Sequence, residues 1–397
     1  MKKIIYVSAL SSERLISDIH KRTGGNPGYA VQKFSRLIVK GLQANGIDTK
    51  AFTSPPINKN YCSKLFVALG CEEENGIKYK YVPFINIPLL KHIYVFIYTF
   101  FYMLFWGFTD RKNKAIVCDV LNVSVSFSTL LATKINRVKS IGVVTDIHGM
   151  MVGNKKSGFS ALKSSLASRL NSWYQKRFNR YILLTEQMND VVNPKNQPYM
   201  IMEALCDSAT IQANHTLEKA DPLTILYAGG LHEKYGLKML VDGFIKSGLK
   251  AKLILYGNGP FVEELLKICE SHPNIEYRGV APNEVILKEE YKASLLVNPR
   301  FTTEEFTKYS FPSKNMEYMV SGTPLLTTKL PGMPDEYLPY VYLFEEETIE
   351  GYANALSATL SLPMSELKTK GESAKRFVLE KKNNIFQSKR IVSFIFN

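Results

Sequence analysis

Acidic residues are what the first half of this chain lacks. Residues 1–200 hold 28 Lys and Arg against 11 Asp and Glu, a net +17, whereas the remainder holds 22 against 25. A strongly basic half joined to a near-neutral one implies an anionic partner for the first half, either nucleic acid or an anionic membrane surface. No zinc-finger spacing, aromatic RNP motif or helix-turn-helix signature is present, which argues against nucleic acid. Cysteine is sparse and scattered: Cys62, Cys71, Cys118, Cys206 and Cys269 include no pair at zinc-ligand or redox spacing. That excludes a disulfide framework and points to a reducing compartment, the cytoplasm. No Asp-x-Asp occurs either, so no metal or other cofactor is expected. The apolar run at residues 4–10, after Met1-Lys2-Lys3, stops at Ser11-Ser12-Glu13-Arg14. It is too short for a signal peptide and reads as a first buried strand.

What is present is a repeated alternation of short apolar strands and amphipathic helices. Strands are predicted at residues 4–7, 115–120, 140–144 and 180–184, with a helix over 30–45 whose Val31, Phe34, Leu37, Ile38 and Leu42 share one face. A second series has strands at 223–227, 252–256, 275–277, 293–297 and 323–327, with helices at 236–247, 260–271 and 314–320 between them. That is the pattern of βα units on a parallel sheet. The turn formers Asn-Pro-Lys-Asn-Gln-Pro around 193–197 separate the two series. The expected fold is therefore α/β: two doubly wound domains, residues 1–197 and 198–385, with a cleft between them and a last helix over 386–397. A chain of 397 residues suits two cores of that size. Residues 93–108 carry no charge and are dense in aromatics, yet fall short of the roughly 20 residues of a membrane span. A buried domain helix, an interfacial helix with basic flanks and a true span all fit.

Backbone N–H groups at the start of a helix can hold phosphate. Gly24-Gly25-Asn26-Pro27-Gly28 precedes the helix at 30–45 and is either such a loop or only a turn. Gly229-Gly230-Leu231-His232-Glu233-Lys234-Tyr235-Gly236 follows a strand and opens a helix, with Lys234 placed to neutralise a diphosphate or simply solvated. Gly257-Asn258-Gly259-Pro260 imitates a dinucleotide fingerprint, but Val262 stands where its third glycine belongs, which argues against a dehydrogenase. The most informative stretch is Asn298-Pro299-Arg300, then Ser310-Phe311-Pro312-Ser313-Lys314-Asn315-Met316-Glu317-Tyr318-Met319, then Ser321-Gly322-Thr323-Pro324. Pro312 marks a helix start that Ser310 or Ser313 can cap. Lys314 and Glu317 fall one turn apart, so the carboxylate of Glu317 is matched by Lys314 or by hydroxyls of a ligand.

These residues resemble the group 1 glycosyltransferases (glycosyltransferase family 4), especially bacterial capsule and exopolysaccharide enzymes that carry Ser-Phe-Pro-Ser-Lys before a Glu-Tyr-Met helix. The resemblance implies the GT-B fold of two facing Rossmann-like domains with a central cleft. It implies a ribose-binding Glu317, the second glutamate of an E-x7-E motif whose first position is Tyr309 here, with Glu304 and Glu305 close but out of register. It implies a phosphate-binding Lys234; the arginine usual before it is replaced by Gly230, leaving Arg300 or Lys314, beside Ser310, to supply the second charge. Arg278 and Gly279, in Tyr277-Arg278-Gly279-Val280, match the segment whose backbone meets the base. Gly24, Gly25 and Gly28 match a loop over the diphosphate. Asp146 and His148, in Val144-Thr145-Asp146-Ile147-His148-Gly149, match the position of an active-site Asp or His, although a structural role suits His148 equally.

The activity so implied is metal-free retaining transfer of a sugar from a nucleotide-sugar to a glycan acceptor, such as a polyprenyl-linked one. It would take place at the inner face of the cell membrane, in cell-surface polysaccharide synthesis. A GT-B sugar-nucleotide epimerase and a non-catalytic subunit of a polysaccharide assembly complex are the alternatives.

Overall fold

The computed structural model describes residues 1–24, 28–147, 169–209 and 223–397. Two compact units emerge, Met1–Leu205 with Asn384–Asn397, and Cys206–Asn383.

The first unit is built on strands β1 (Lys3–Ser8), β2 (Asp48–Thr53), β4 (Cys71–Glu74), β5 (Ile77–Tyr81), β7 (Lys114–Asp119), β8 (Lys139–Val144), β9 (Arg180–Leu183) and β10 (Tyr199–Ile201). They lie in the order β10-β9-β8-β7-β1-β2-β5-β4. All neighbours are parallel except β4, which runs antiparallel to β5. β3 (Phe66–Val67) and β6 (Phe84–Ile85) form a separate ribbon. Helices α1 (Glu13–Thr23), α2 (Tyr29–Ala44), α3 (Pro88–Gly107), α4 (Val123–Asn136) and the short α5 (Met188–Val192) lie between strands. β1 and β7 are buried almost throughout, as an unbroken apolar run in a parallel sheet covered on both faces requires. Residues 198–205 belong to this unit, not to the second, because Tyr199–Ile201 extends the sheet as its edge strand beside β9.

The second unit holds β11 (Thr224–Ala228), β12 (Lys252–Tyr256), β13 (Ile275–Tyr277), β14 (Leu295–Asn298), β15 (Leu325–Thr327) and β16 (Tyr342–Leu343), wholly parallel in the order β13-β12-β11-β14-β15-β16. Its helices are α6 (Leu237–Ser247), α7 (Val262–Ser271), α8 (Asn283–Lys292), α9 (Ser313–Ser321), α10 (Ile349–Leu360) and α11 (Met364–Lys381). The core runs from Ile225, Leu253 and Leu295 to Leu240, Phe244, Tyr352 and Leu356.

The last helix, α12 (Asn384–Phe396), starts two residues before its expected boundary and belongs to the first unit. It packs against α2 at Gly41, where a Cβ would stand 2.2 Å from the Asn384 carbonyl oxygen. Asn45 Nδ2 donates to Ile385 O at 2.9 Å, and Lys139 Nζ donates to Ile395 O at 2.7 Å, satisfying an end carbonyl of α12.

The aromatic segment at 93–108 is the outer part of the 20-residue α3. Pro88 stands in its first turn, where a missing N–H costs nothing. Only Val95, Thr99, Met103 and Gly107, one i, i+4 row, are buried, and this row packs on α4. Asn136 Nδ2 donates to the Met103 and Leu104 carbonyls at 2.9 and 3.2 Å, and Lys114 Nζ to that of Trp106 at 2.6 Å. A fully buried domain helix is thereby excluded: most of α3 faces outward.

Candidate active site

In the second sheet the strand order reverses between β11 and β14, whose carboxyl ends lie side by side. Ligands of open α/β sheets bind at such a switch point. After β11 the chain passes through Gly229 and Gly230 into a 3-10 turn, Glu233–Tyr235, and then α6. After β14 it passes through Pro299 to Arg300. Gly236 lets the two segments touch: its φ is +77°, and a Cβ there would lie 1.8 Å from the Pro299 carbonyl oxygen. Gly230 is held by Tyr227, whose hydroxyl donates to its carbonyl at 3.0 Å. Burial pushes the Tyr227 phenol up to about 12, with Arg300 pulling the other way.

This close approach brings Lys234 and Arg300 to one aromatic ring. Lys234 Nζ lies 5.6 Å and Arg300 Cζ 4.8 Å from the centroid of Tyr235. Neither cation has a carboxylate partner among the described residues, and Arg300 Nε is buried without any hydrogen-bond acceptor. Phe306 meets the same ring edge-on, which places the loop at 304–310 beside the two cations. A buried guanidinium nitrogen lacking an acceptor is costly unless an anion arrives.

α9 reaches the same end of the sheet. The Tyr318 hydroxyl donates to the Ala228 carbonyl and accepts from the Ala228 N–H, tying the helix to the end of β11. Asn298, Asn315 and Thr327 form a buried polar triad linking β14, α9 and β15. Lys314 Nζ lies 2.7 Å from Glu317 Oε2, so in this state the glutamate is matched by lysine. The fully buried Glu290 on α8 stands 4.0 Å from the same ammonium. Neither serine caps α9: Pro312 occupies the cap, and Ser310 Oγ donates instead to the Phe306 carbonyl.

Arg278 is less available. Its guanidinium is bound by Glu276 and Glu289 at 2.6 and 2.8 Å, and its N–H donates to Leu255 O. Gly279, with φ +70°, accepts from the Gly257 N–H. The Gly257-Asn258-Gly259 turn is likewise structural, since Leu231 N–H donates to Asn258 O and Phe261 N–H to Leu231 O. It props the Gly229–Leu231 segment.

Residues 222–361 match the family model described as glycosyl transferases group 1. The second domain is a group 1 glycosyltransferase domain. Solved structures extend the likeness to the whole chain. The lipopolysaccharide outer core galactosyltransferase WaaB is 13% identical, with a TM-score of 0.62 and 99% of each chain covered. Sucrose-phosphate synthase from Thermosynechococcus elongatus is 13% identical at TM-score 0.61, over 100% of this chain and 99% of that one. Anabaena HepE, solved in complex with UDP, is 12% identical at 0.61 over 98% of each. No curated protein sequence matches the chain. The fold is GT-B, and the chain is a glycosyltransferase.

Beside that glycosyltransferase domain, the first-domain candidates divide. Gly25 and His148 lie outside the described residues. The loop bounded by Gly24 and Gly28 does not follow a strand, because α1 intervenes. Gly24 (φ +64°) closes α1 by donating to His20 O, and Gly28 (φ +80°) starts α2 by accepting from Gln32 N–H. Asp146 is half-buried just beyond β8. Sequence reasoning missed Asp119, which ends the adjacent β7 at this sheet's own reversal between β7 and β1. Its carboxyl is buried, accepts the Leu121 N–H at 3.0 Å, and is pushed up to about 6 by that burial. It fell inside a predicted apolar strand, so only its being the one acid there could have drawn notice.

Proposed function

We propose that this glycosyltransferase moves a sugar, with retention, from a nucleotide-sugar to a lipid-linked glycan acceptor in cell-surface polysaccharide synthesis. It would act as a peripheral enzyme on the cytoplasmic face of the membrane. The observation that carries the donor assignment is the pair Lys234 and Arg300 on Tyr235, at the strand-order reversal and without carboxylate partners among the described residues. That is a site for a diphosphate. In the transfer, the bond from the anomeric carbon to the diphosphate oxygen breaks and a bond to the acceptor oxygen forms on the same face. The acceptor proton passes to the departing phosphate. Negative charge grows on that phosphate, so two fixed cations lower the barrier more than they stabilise the bound donor. No metal is required in this scheme. Glu317 exchanges Lys314 for the ribose hydroxyls, while Glu290 keeps Lys314 in place. Asp146 and His148 would stand at the reacting centre, and the loop of Gly24, Gly25 and Gly28 would close over the diphosphate.

The test is turnover across UDP-, GDP-, dTDP- and ADP-sugars with Lys234→Ala and Glu317→Ala, with EDTA present and absent. Both variants should lose turnover and EDTA should change nothing. Anomeric proton couplings of the product should show the donor's configuration. Interconversion of a sugar nucleotide without acceptor would make the chain an epimerase. Nucleotide binding without turnover on its native acceptor would make it a non-catalytic subunit.

A further inference from the structure

α3 presents a continuous apolar ridge to the outside of the first domain. Leu89, Ile93, Ile97, Phe101 and Phe105 follow one another at i+4, so they form an inclined ridge about 24 Å long that winds gradually round the helix. All are exposed, from 47% at Ile93 to 72% at Leu89. Phe108 continues the row, and Phe66 of β3 broadens it, its ring 6.0 Å from that of Tyr94. On the other flank, Phe96 meets Phe127, which meets the half-exposed Trp173. Exposed apolar surface of this extent on one helix is unusual for a domain that stands alone in water.

Cations border this layer. Arg111 lies over Phe108, Lys80 over Tyr102 and Arg177 over Trp173. Between Glu74 and Asp119 the sequence has six Lys or Arg and a single acid, Asp110. Aromatic rings backed by cations match the interface of a bilayer, where rings sit at headgroup depth and cations meet lipid phosphate.

We infer that the outer face of α3 lies flat on a membrane surface containing anionic lipid. The helix cannot cross the bilayer in this fold, because its inner row is packed on α4 and its last turn is bound by Asn136 and Lys114. A second copy of the chain suits the ridge poorly: two strongly basic halves, each of net +17 over residues 1–200, would meet cation to cation. Acidic headgroups complement both the apolar row and its border. Binding stands apart from the transferase chemistry; only its purpose, presenting the first domain to a lipid-linked acceptor, rests on the proposed function.

The chain's two tryptophans, Trp106 and Trp173, both belong to this layer, so their emission reports on it directly. The full-length protein is mixed with vesicles of phosphatidylcholine alone or with added phosphatidylglycerol, and followed by tryptophan emission and co-sedimentation. Emission should shift to the blue and protein should sediment with phosphatidylglycerol vesicles, less so as salt rises. Ile97→Ser with Phe105→Ser should weaken partitioning by about tenfold or more, with circular dichroism and nucleotide binding unchanged. Arg111→Glu with Lys112→Glu should remove the preference for anionic lipid. Unaltered partitioning of the serine variant would overturn the inference. So would a dimer that this variant dissociates while vesicles are ignored. Neither result would touch nucleotide turnover, which tests the transferase reading separately.

Discussion

Two cations near one ring, with no carboxylate partner among the described residues, favour the arrival of an anion. Their stabilisation is therefore stored for the ligand. Arg300→Ala should lower kcat/KM by about 10²–10³, as expected for loss of one group facing developing charge, and should abolish the rise in melting temperature given by the matching nucleoside diphosphate. Asp119 makes a different prediction at the same scale. Burial lifts its folded value to about 6 from 3.8, so the folded state holds the proton more tightly than the unfolded one. That contribution to stability is complete below pH 3.8 and lost as pH rises through 6, an effect of about 3 kcal/mol. Asp119→Asn keeps an oxygen for Leu121 N–H and cannot ionise. Across pH 4 to 7 the parent's melting temperature should fall relative to the variant's; parallel curves would show that Asp119 is ionised in the fold.

Among the elements, the turn from β11 into α6 is the one whose geometry makes the site. Gly236 combines a left-handed φ with a carbonyl where a side chain would go. Gly236→Ala should cost at least ~2 kcal/mol, and should weaken nucleotide binding beyond that loss by pushing Tyr235 away from Arg300. Binding that follows stability alone would show that the turn is only structural. α9 is fixed differently, through Tyr318 on Ala228 and the Asn298–Asn315–Thr327 triad, so Glu317 is presented from a rigid helix.

For the whole molecule, the notable feature is that the chain's end returns to its first domain. Gly41 receives α12 with no space for a methyl group. Gly41→Ala should therefore lower the first domain's unfolding temperature by displacing α12, while leaving nucleotide binding by the second domain intact. Calorimetry in the presence and absence of nucleotide would separate the two; equal loss in both domains would refute the independence. Charge divides along the same line, with the basic excess in the half that carries the α3 ridge.

The sequence by itself determined the βα alternation, since a strand buried on both faces must be an unbroken apolar run, as at residues 4–7 and 253–256. Its motifs at residues 298–324 also carried the resemblance to group 1 glycosyltransferases, whose family model matches residues 222–361; the roles of Lys234, Arg300, Lys314 and Glu317 are what that resemblance implies. Sequence reasoning missed α1 before the Gly24 loop, whose three buried apolar residues stand among charged ones, and the edge strand at 199–201, which is only three residues long. Only the tertiary structure decided that Lys234 and Arg300, 66 positions apart, share one ring. Only it decided that Glu317 rests on Lys314 with Glu290 behind, and that α3 turns one row inward and the other out. Contacts between distant strand ends, and the choice of which apolar face to bury, depend on packing partners that no local pattern encodes.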